Sequence, residues 1–459
     1  VCLCSRPMSS ALDVARHHLD VRLAREQRER RLPAVTAALV RRGEIVWSAA
    51  VGTVDGRAGG AAATADTQFR IGSITKTMVG VGVLRLVADG SVTLTDPIRR
   101  HLPELDPALD GVTVTALLGH SSGLFAETTG PWWERSPGVS WEELLPSIRL
   151  THDPGRRFHY SNVGFAVLGR LVEQVRGRRW DAVLADEVLA PLGMARTTYS
   201  AVSPAAQGLG VHPYADLRHV EPEQDTGAMA PAGQLWSTVD DLSRWATFLA
   251  AGDPRVLDDE LRTAMQVPGV VWDTPGQPWT RAYGLGLDVF NRDGKRYVGH
   301  GGSMPGFQAV VAVDPATGTG VSLLTSSTSG PSPALGWDLL DLLETHAPEA
   351  PEPWHTEATD HLDLVGEWFW GPRPFVISAR PGDVLDLGAP GGGRGSRFVP
   401  SGDGTWVGQD DYWAGETLRV IGRGTPGVHL DLGSFRLTRT PYSPDGDIPG
   451  GVDESGWHA

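Results

Sequence analysis

The alternation of apolar and polar positions predicts a chain that mixes helices with strands. Apolar residues recur every three or four positions over 11–32, which predicts an amphipathic helix that ends before Pro33. Two apolar runs, 34–40 and 45–52, flank a short polar turn and predict a β-hairpin.

Further along, apolar periodicity predicts more helices, two strands and two long loops. The segment 74–89 is apolar on several faces and ends at Gly90, which predicts a buried helix. Residues 309–327 read as two strands around a turn. Three more segments have a helical pattern: 164–175, 238–249 and 335–346. Long loops over 100–160 and 200–235 are typical of segments that shape a site, so we expect an α+β domain with such a site.

The composition and the apolar pattern of the chain change after residue 347, which predicts a second domain. A Pro- and Glu-rich linker over 348–358 separates the first domain, 11–347, from the rest of the chain. Short β-like runs at a spacing of about ten residues predict a small antiparallel barrel or sandwich over 359–442. Gly366-Glu367-Trp368 resembles the GxW of lipocalins, and residues 443–459 are expected to form an extended tail.

Composition and charge exclude several classes of function. The net charge of −15 disfavours nucleic-acid partners, and Gly (57) with Pro (34) indicates many loops. Cys2 and Cys4 are the only cysteines, so a disulfide framework or a cysteine-based zinc site is excluded. The sequence has no apolar run long enough to span a membrane and no secretion signal, which predicts a cytoplasmic protein. We find no metal-ligand spacing and no nucleotide motif, so no metal and no cofactor are expected.

Ser73 and Lys76 are the first candidate catalytic pair. Residues three apart share one face of a helix, so the hydroxyl and the amine can meet. A serine hydroxyl becomes a nucleophile when a neighbouring base takes its proton, and a lysine can be that base if its pKa falls. Alone, the pair also fits a capping serine followed by an exposed lysine.

Two more elements could complete such a site. Tyr160 could relay protons and Asn162 could hold a substrate carbonyl, although a core tyrosine and a capping asparagine are also possible. His300, Gly302 and Ser303 lie in a glycine-rich segment that could place an edge strand against a substrate, or be structural.

The three elements in this order resemble the SxxK, YxN and HxG motifs of the serine β-lactamase and penicillin-binding-protein superfamily. The resemblance is greatest to the branch of class C β-lactamases, D-aminopeptidases and esterases. FRIGSITKTM, LLGHSSGL, PGRRFHYSNVGF and GHGGSMPGF carry it, and it extends over about 30–347. It implies a β-lactamase/transpeptidase-like fold, with an antiparallel sheet flanked by helices and a helical subdomain.

The resemblance also implies a role for each residue. Ser73 would be acylated, Lys76 and Tyr160 would move protons, and Asn162, His300, Gly302 and Ser303 would bind substrate. The backbone N–H groups of Ser73 and Ser303 would form the oxyanion hole. Whether Lys76 or Tyr160 is the proximate base stays open. His300 stands where β-lactamases and transpeptidases carry a lysine, which disfavours efficient β-lactam hydrolysis.

The resemblance therefore implies a metal-independent serine hydrolase that acts on an amide or ester in a small molecule or peptide. Two alternatives remain: a penicillin-binding-protein-type thioesterase that transfers a peptidyl group to an amine, and a slowly deacylating sensor. Gly119-His120-Ser121-Ser122-Gly123 also matches the G-x-S-x-G nucleophile elbow, but the residues after it make a poor helix. Oligomeric state and natural substrate are not predicted. Other aromatic and basic residues could contact substrate or be structural: Trp132, Trp133, Trp236, Arg436 and Arg439.

Overall fold

The computed structural model describes residues 10–351, 353–355 and 359–441. They divide into two compact units, with the boundary between Glu349 and Ala350. The predicted tail, both cysteines and part of the predicted linker lie outside the described residues.

An eight-stranded antiparallel sheet forms the centre of the first unit. Its strands in chain order are β1 (Ala34–Arg41), β2 (Glu44–Gly52), β7 (Val270–Val271), β8 (Arg281–Tyr283), β9 (Asp288–Arg292), β10 (Lys295–Met304), β11 (Phe307–Asp314) and β12 (Thr319–Thr325). The spatial order is β2-β1-β12-β11-β10-β9-β8-β7, so the N-terminal hairpin joins strands that lie almost 300 residues further along the chain.

Nine helices and two small sheets accompany this sheet in the described residues. The helices are α1 (Ala11–Glu29), α2 (Ile74–Ala88), α3 (Val114–Leu118), α4 (Trp141–Leu144), α5 (Asn162–Arg176), α6 (Trp180–Leu184), α7 (Val239–Ala251), α8 (Asp259–Met265) and α9 (Leu335–His346). The small sheets pair β3 (Phe69–Arg70) with β6 (Trp236–Ser237), and β4 (Leu209–Val211) with β5 (Arg218–Val220).

Helices cover the central sheet on both faces. Successive side chains of a strand point to opposite faces, and β1 is buried along nearly its whole length because both faces are covered. Its Val35, Ala37 and Leu39 pack with α1 and α9, whereas Ala34 and Ala38 pack into the larger core that contains α2, α5 and α7. This confirms the predicted antiparallel sheet with flanking helices and a helical subdomain.

The second unit is a closed antiparallel barrel of eight strands, which decides between the predicted barrel and sandwich. Its strands are β13 (Gly366–Trp370), β14 (Arg373–Arg380), β15 (Val384–Gly388), β16 (Gly395–Pro400), β17 (Trp406–Gly408), β18 (Thr417–Ile421), β19 (His429–Leu432) and β20 (Phe435–Thr438). Trp368 and other large side chains, among them Phe375 and Phe398, fill its core.

Candidate active site

The start of α2 places Ser73 and Lys76 in direct contact. Gly72, at φ +53°, turns the chain into the helix, and Lys76 follows Ser73 by one helical turn. The Lys76 Nζ lies 2.8 Å from the Ser73 Oγ and 2.6 Å from the main-chain oxygen of Ala232. Two hydrogen-bonding contacts therefore fix the position of the Lys76 amine.

Burial changes the chemistry of the Lys76 amine. The residue has no exposed surface, and this loss of hydration lowers its pKa from 10.5 to about 7. The negative charges of Glu127, Glu134 and Asp288 act in the opposite direction and are outweighed. A large fraction of the amine is thus neutral at neutral pH.

Tyr160 reaches the same hydroxyl from a distant part of the chain. Its phenol interacts with the Ser73 side chain, and the Lys76 Nζ lies 5.0 Å from the centre of its ring. Burial raises the pKa of Tyr160 well above its usual range. The neutral phenol is therefore the stable form near pH 7, where it can give a proton more readily than it can take one.

The strand β10 approaches Ser73 closely because two glycines leave room. A Cβ on Gly302 would lie 1.9 Å from the Ile71 oxygen, and one on Gly72 would lie 2.5 Å from the Ser303 nitrogen. Since β9 pairs with β10 only from Lys295 to Gly299, the later part of β10 is open on that edge. The structure thus brings the backbone nitrogens of Ser73 and Ser303 to one place.

His300 is turned into the protein. Its imidazole is 3% exposed, its Nε2 lies 2.9 Å from the Tyr283 hydroxyl, and its Nδ1 lies 3.9 Å from the Asp288 carboxylate. Burial lowers the pKa of His300, while Asp288 acts against this shift. Asp288 is itself paired with Arg281. The imidazole thus belongs to a buried polar cluster with Tyr283 and Asp288.

Asn162 begins α5 and faces a carboxylate that the sequence did not single out. The Asn162 Nδ2 donates to Glu127 at 2.6 Å, and the indole of Trp133 donates to the same carboxylate at 2.7 Å. The cap of α5 is the Ser161 hydroxyl, which accepts the Gly164 N–H, so the capping role considered for Asn162 is wrong.

Two other candidate tryptophans pack against side chains of the protein, and the rival serine segment lies outside a strand-to-helix turn. Trp236 is buried against Phe307, whereas Trp132 is exposed and stacks with Arg135. Residues 119–123 follow the helix α3 and precede a loop. A nucleophile elbow needs a strand before it and a helix after it, so this segment does not have that geometry.

The described residues offer neither a cluster of metal ligands nor a membrane-spanning helix. They contain no group of three or more potential metal ligands in proximity. None of their helices combines the length and apolarity needed to cross a bilayer.

The assembled group joins a hydroxyl, a partly neutral amine, a neutral phenol and two backbone N–H groups. These are the parts needed to form and resolve a tetrahedral intermediate. The sequence analysis did not identify four residues that contact or act on this group. Ala232 contributes its main-chain carbonyl, and Glu127, Tyr283 and Asp288 contribute their side chains. They carry no motif of their own, and only the fold brings them to Ser73, Lys76 and His300.

Fold and site define a β-lactamase-like protein, and sequence comparison agrees. Residues 19–345 match the Beta-lactamase family, so the chain belongs to that family and the predicted resemblance is confirmed. Residues 357–439 match a domain of unknown function, DUF7586.

Esterase EstB from Burkholderia gladioli is 35% identical over 227 residues, which are 45% of this chain and 57% of the esterase. The chain thus spans little more than half the length of that relative. Among solved structures, the octameric penicillin-binding protein homologue from Pyrococcus abyssi has a TM-score of 0.63 at 22% identity and covers 92% of this chain and 99% of its own. The D-amino acid amidase from Ochrobactrum anthropi SV3, complexed with L-phenylalanine amide, has a TM-score of 0.59 at 26% identity, with coverage of 69% and 92%.

Proposed function

We propose that this protein is a serine hydrolase that forms an acyl-enzyme on Ser73 and cleaves an amide or ester bond. The observation that carries the proposal is the 2.8 Å contact between the Ser73 hydroxyl and the Lys76 amine, whose pKa is about 7. Family membership and the esterase and amidase among its relatives support this class of reaction.

In the proposed reaction, neutral Lys76 takes the Ser73 proton as the Oγ attacks the substrate carbonyl carbon. The carbonyl oxygen becomes an oxyanion that the backbone N–H groups of Ser73 and Ser303 stabilise. As the intermediate collapses, the bond to the leaving group breaks, and Tyr160 hands it a proton that Lys76 replaces. Water then attacks the acyl-enzyme by the same proton path, which releases the acid and restores Ser73.

The opposite pKa directions of the two candidate bases favour Lys76 as the proximate base. Its pKa falls to about 7, whereas that of Tyr160 rises, so the amine accepts a proton at neutral pH and the phenol keeps one. The substrate would lie along the open edge of β10, against Gly302 and Ser303, with Asn162 near its carbonyl. His300 would support that strand from within.

Two carboxylates that act on the Lys76 amine indicate which charge a substrate should carry. Glu127 is exposed, is fixed by Asn162 and Trp133, and acts electrostatically on Lys76. Glu134, whose pKa is raised by burial, acts on the same amine. A substrate ammonium next to the scissile carbonyl would neutralise this charge, so we propose acyl groups that carry a free amine. The named substrate class of the D-amino acid amidase is consistent with this.

The test combines covalent labelling with a substrate panel. A fluorophosphonate probe should label Ser73, and Ser73→Ala should lose both the label and all turnover. Ser121→Ala, which removes the serine of the rival G-x-S-x-G segment, is the matched control and should keep both. An unlabelled wild-type protein, or label that persists in Ser73→Ala, rejects the proposal.

The panel should contain p-nitrophenyl esters and the p-nitroanilides of D- and L-alanine, each with a free and with an acetylated amine. We expect faster turnover of the free-amine substrates, in the presence of EDTA as well. Equal rates for both series would remove the proposed amine recognition and leave the hydrolase assignment intact. Transfer of the acyl group to an added amine in preference to water would favour the alternative acyltransferase.

A further inference from the structure

His120 lies at the centre of the site, although the proposed reaction does not use it. The residue is fully buried directly after α3 and has a positive φ of +54°. A positive φ is uncommon for residues other than Gly, although His, Asn and Asp adopt it more often than the rest, so the surrounding contacts help to hold it in place.

The contacts of His120 bracket Tyr160 on both sides. The main-chain oxygen of His120 accepts the N–H of His159 at 2.7 Å, and its Nδ1 accepts the N–H of Ser161 at 3.1 Å. A single residue therefore binds the N–H groups of the two residues that flank Tyr160, which fixes the backbone from which the phenol projects.

The imidazole also packs against the phenol. The centre of the His120 ring lies 4.1 Å from that of Tyr160, 4.5 Å from that of Tyr283 and 5.1 Å from that of Phe165. The Lys76 amine lies 5.0 Å from the same Tyr160 ring. Both the backbone and the ring of Tyr160 are thus held by His120 within reach of Ser73.

The hydrogen bond to Ser161 requires the neutral imidazole with its proton on Nε2, because Nδ1 acts as the acceptor. Burial and the nearby Lys76 charge lower the pKa of His120 well below its usual value, which keeps it neutral. Its Nε2 has no hydrogen-bond partner among the residues that the structure describes. The ring thus accepts one hydrogen bond and faces aromatic side chains elsewhere.

We propose that His120 is a positioning residue, whose Nδ1 acceptor and ring hold Tyr160 beside Ser73 and Lys76. This inference deepens the proposed function and rests on it. His120 neither receives nor donates a proton in the reaction, and the loss of its acceptor would displace Tyr160 and leave the open edge of β10 unchanged.

Two substitutions separate the acceptor from the ring. His120→Asn keeps an acceptor and tolerates the positive φ, and His120→Phe keeps the ring and leaves the Ser161 N–H unpaired. A displaced catalytic group can cost about 100-fold in rate, so His120→Phe should lose roughly that factor in kcat, with KM nearly unchanged. His120→Asn should stay within about 10-fold of wild type. Circular dichroism and thermal melting confirm that each variant is folded, and His152→Asn, at an imidazole that packs against His159, is the matched control.

A double-mutant cycle with Tyr160→Phe then tests whether His120 acts through Tyr160. His120→Phe should lower kcat much less in the Tyr160→Phe background than in wild type. If His120→Phe does not fold, His120→Ala, which removes both the acceptor and the ring, takes its place in the cycle. Equal losses in both backgrounds, a wild-type kcat in folded His120→Phe, or a loss in His120→Asn equal to that in His120→Phe would overturn the proposal.

The pH profile and the labelling experiment add independent readouts. His120→Asn should leave the pH of half-maximal kcat/KM where it is in wild type, since a neutral imidazole contributes no charge. A shifted profile would assign His120 an acid–base role and overturn the positioning role. Failure of the probe to label wild-type Ser73 rejects the proposed function itself, whereas normal labelling with an unaffected His120→Phe rejects only the role of His120.

Discussion

At the scale of single residues, the surroundings of Lys76 determine its chemistry. An exposed lysine keeps its proton at neutral pH, but this one is enclosed by the core, and its amine is hydrogen-bonded to a hydroxyl and a main-chain oxygen. The position of one amine thus links the packing of α2 to the proposed activation of Ser73.

The first prediction concerns pH. Because the folded-state pKa of Lys76 is about 7, the neutral amine is lost as the pH falls through this value. We therefore expect kcat/KM for acylation to rise through a half-maximum near pH 7. Lys76→Arg, which stays protonated, should lower kcat/KM about 100- to 10,000-fold. Stopped-flow acylation over a pH series measures both, and a flat acid limb would contradict the assignment of Lys76 as base.

A second prediction concerns the carboxylate of Glu127. Its negative charge raises the pKa of Lys76, so Glu127→Gln should lower that pKa and move the acid limb of the profile to lower pH. The same variant should lose the preference for free-amine substrates. Glu142→Gln, at an exposed glutamate of α4, is the control and should change neither property. An acid limb that stays in place would mean that Glu127 does not act on Lys76.

Sequence alone identified those site residues whose spacing along the chain already places them side by side. Ser73 and Lys76 share one helical face, and the structure brings Tyr160 to them. Glu127 and Asp288 could not be found in this way, because their influence depends on distances across the fold rather than along the chain. The carbonyl of Ala232 is a main-chain group, and its role does not depend on which side chain stands there.

At the scale of elements, α5 supports the site through the segment that carries Ala232. Gly169 lies where α5 meets this segment, and a Cβ there would lie 2.1 Å from the Cγ of Pro231. Pro231 directly precedes Ala232, whose oxygen accepts the Lys76 hydrogen bond at 2.6 Å. The missing side chain of Gly169 therefore lets the helix and the segment approach closely enough to hold the amine.

The third prediction follows from this contact. Gly169→Ala should displace Pro231 and lower kcat by at least about 10-fold, although Ala favours a helix over Gly by about 1 kcal/mol. Gly164→Ala in the same helix is the matched control, because its Cβ would meet only ordinary contacts, at 3.5 Å from the Ser161 Oγ. Steady-state kinetics and thermal melts of both variants make the comparison. Equal activity of the two would show that the contact with Pro231 does not support the site.

Periodicity predicted the longer elements and missed the short ones. The helix expected over 335–346 has those bounds as α9. The helix expected over 11–32 ends at Glu29, so its predicted end is wrong: Arg31 adopts a positive φ of +53° and turns the chain toward β1. The strands β7, β8 and β9 have two, three and five residues, too few to show an alternation.

At the scale of the whole molecule, the pairing of the first and last strands makes the second unit a closed barrel. The sequence showed its short strands but not their pairing, and a closed barrel requires the first strand to pair with the last. Here β13 pairs with β20 at Phe369 and Thr438. Arg439 reinforces this closure, since its guanidinium lies 4.0 Å from the Trp368 ring and donates to the Glu367 oxygen at 3.0 Å.

Arg439 therefore has the structural role of joining the two ends of the barrel. It also donates to the main-chain oxygens of Val365 and Asp363, so one side chain satisfies several carbonyls ahead of and within β13. Arg436, three residues earlier on β20, is exposed on the barrel surface. Arg436 within β20 and Arg439 directly after it thus differ in surroundings and not in charge, which makes them a matched pair.

The fourth prediction uses this pair. Arg439→Met should destabilise the barrel by about 1–3 kcal/mol, because charge-assisted hydrogen bonds and a cation–π contact are lost together. Hydrogen exchange measured by mass spectrometry on the full chain should show faster exchange in peptides that cover β13 and β20. Arg436→Met should leave these peptides as protected as in wild type. If both variants exchanged alike, the closure would depend on strand pairing and the filled core alone, and Arg439 would be an ordinary surface residue.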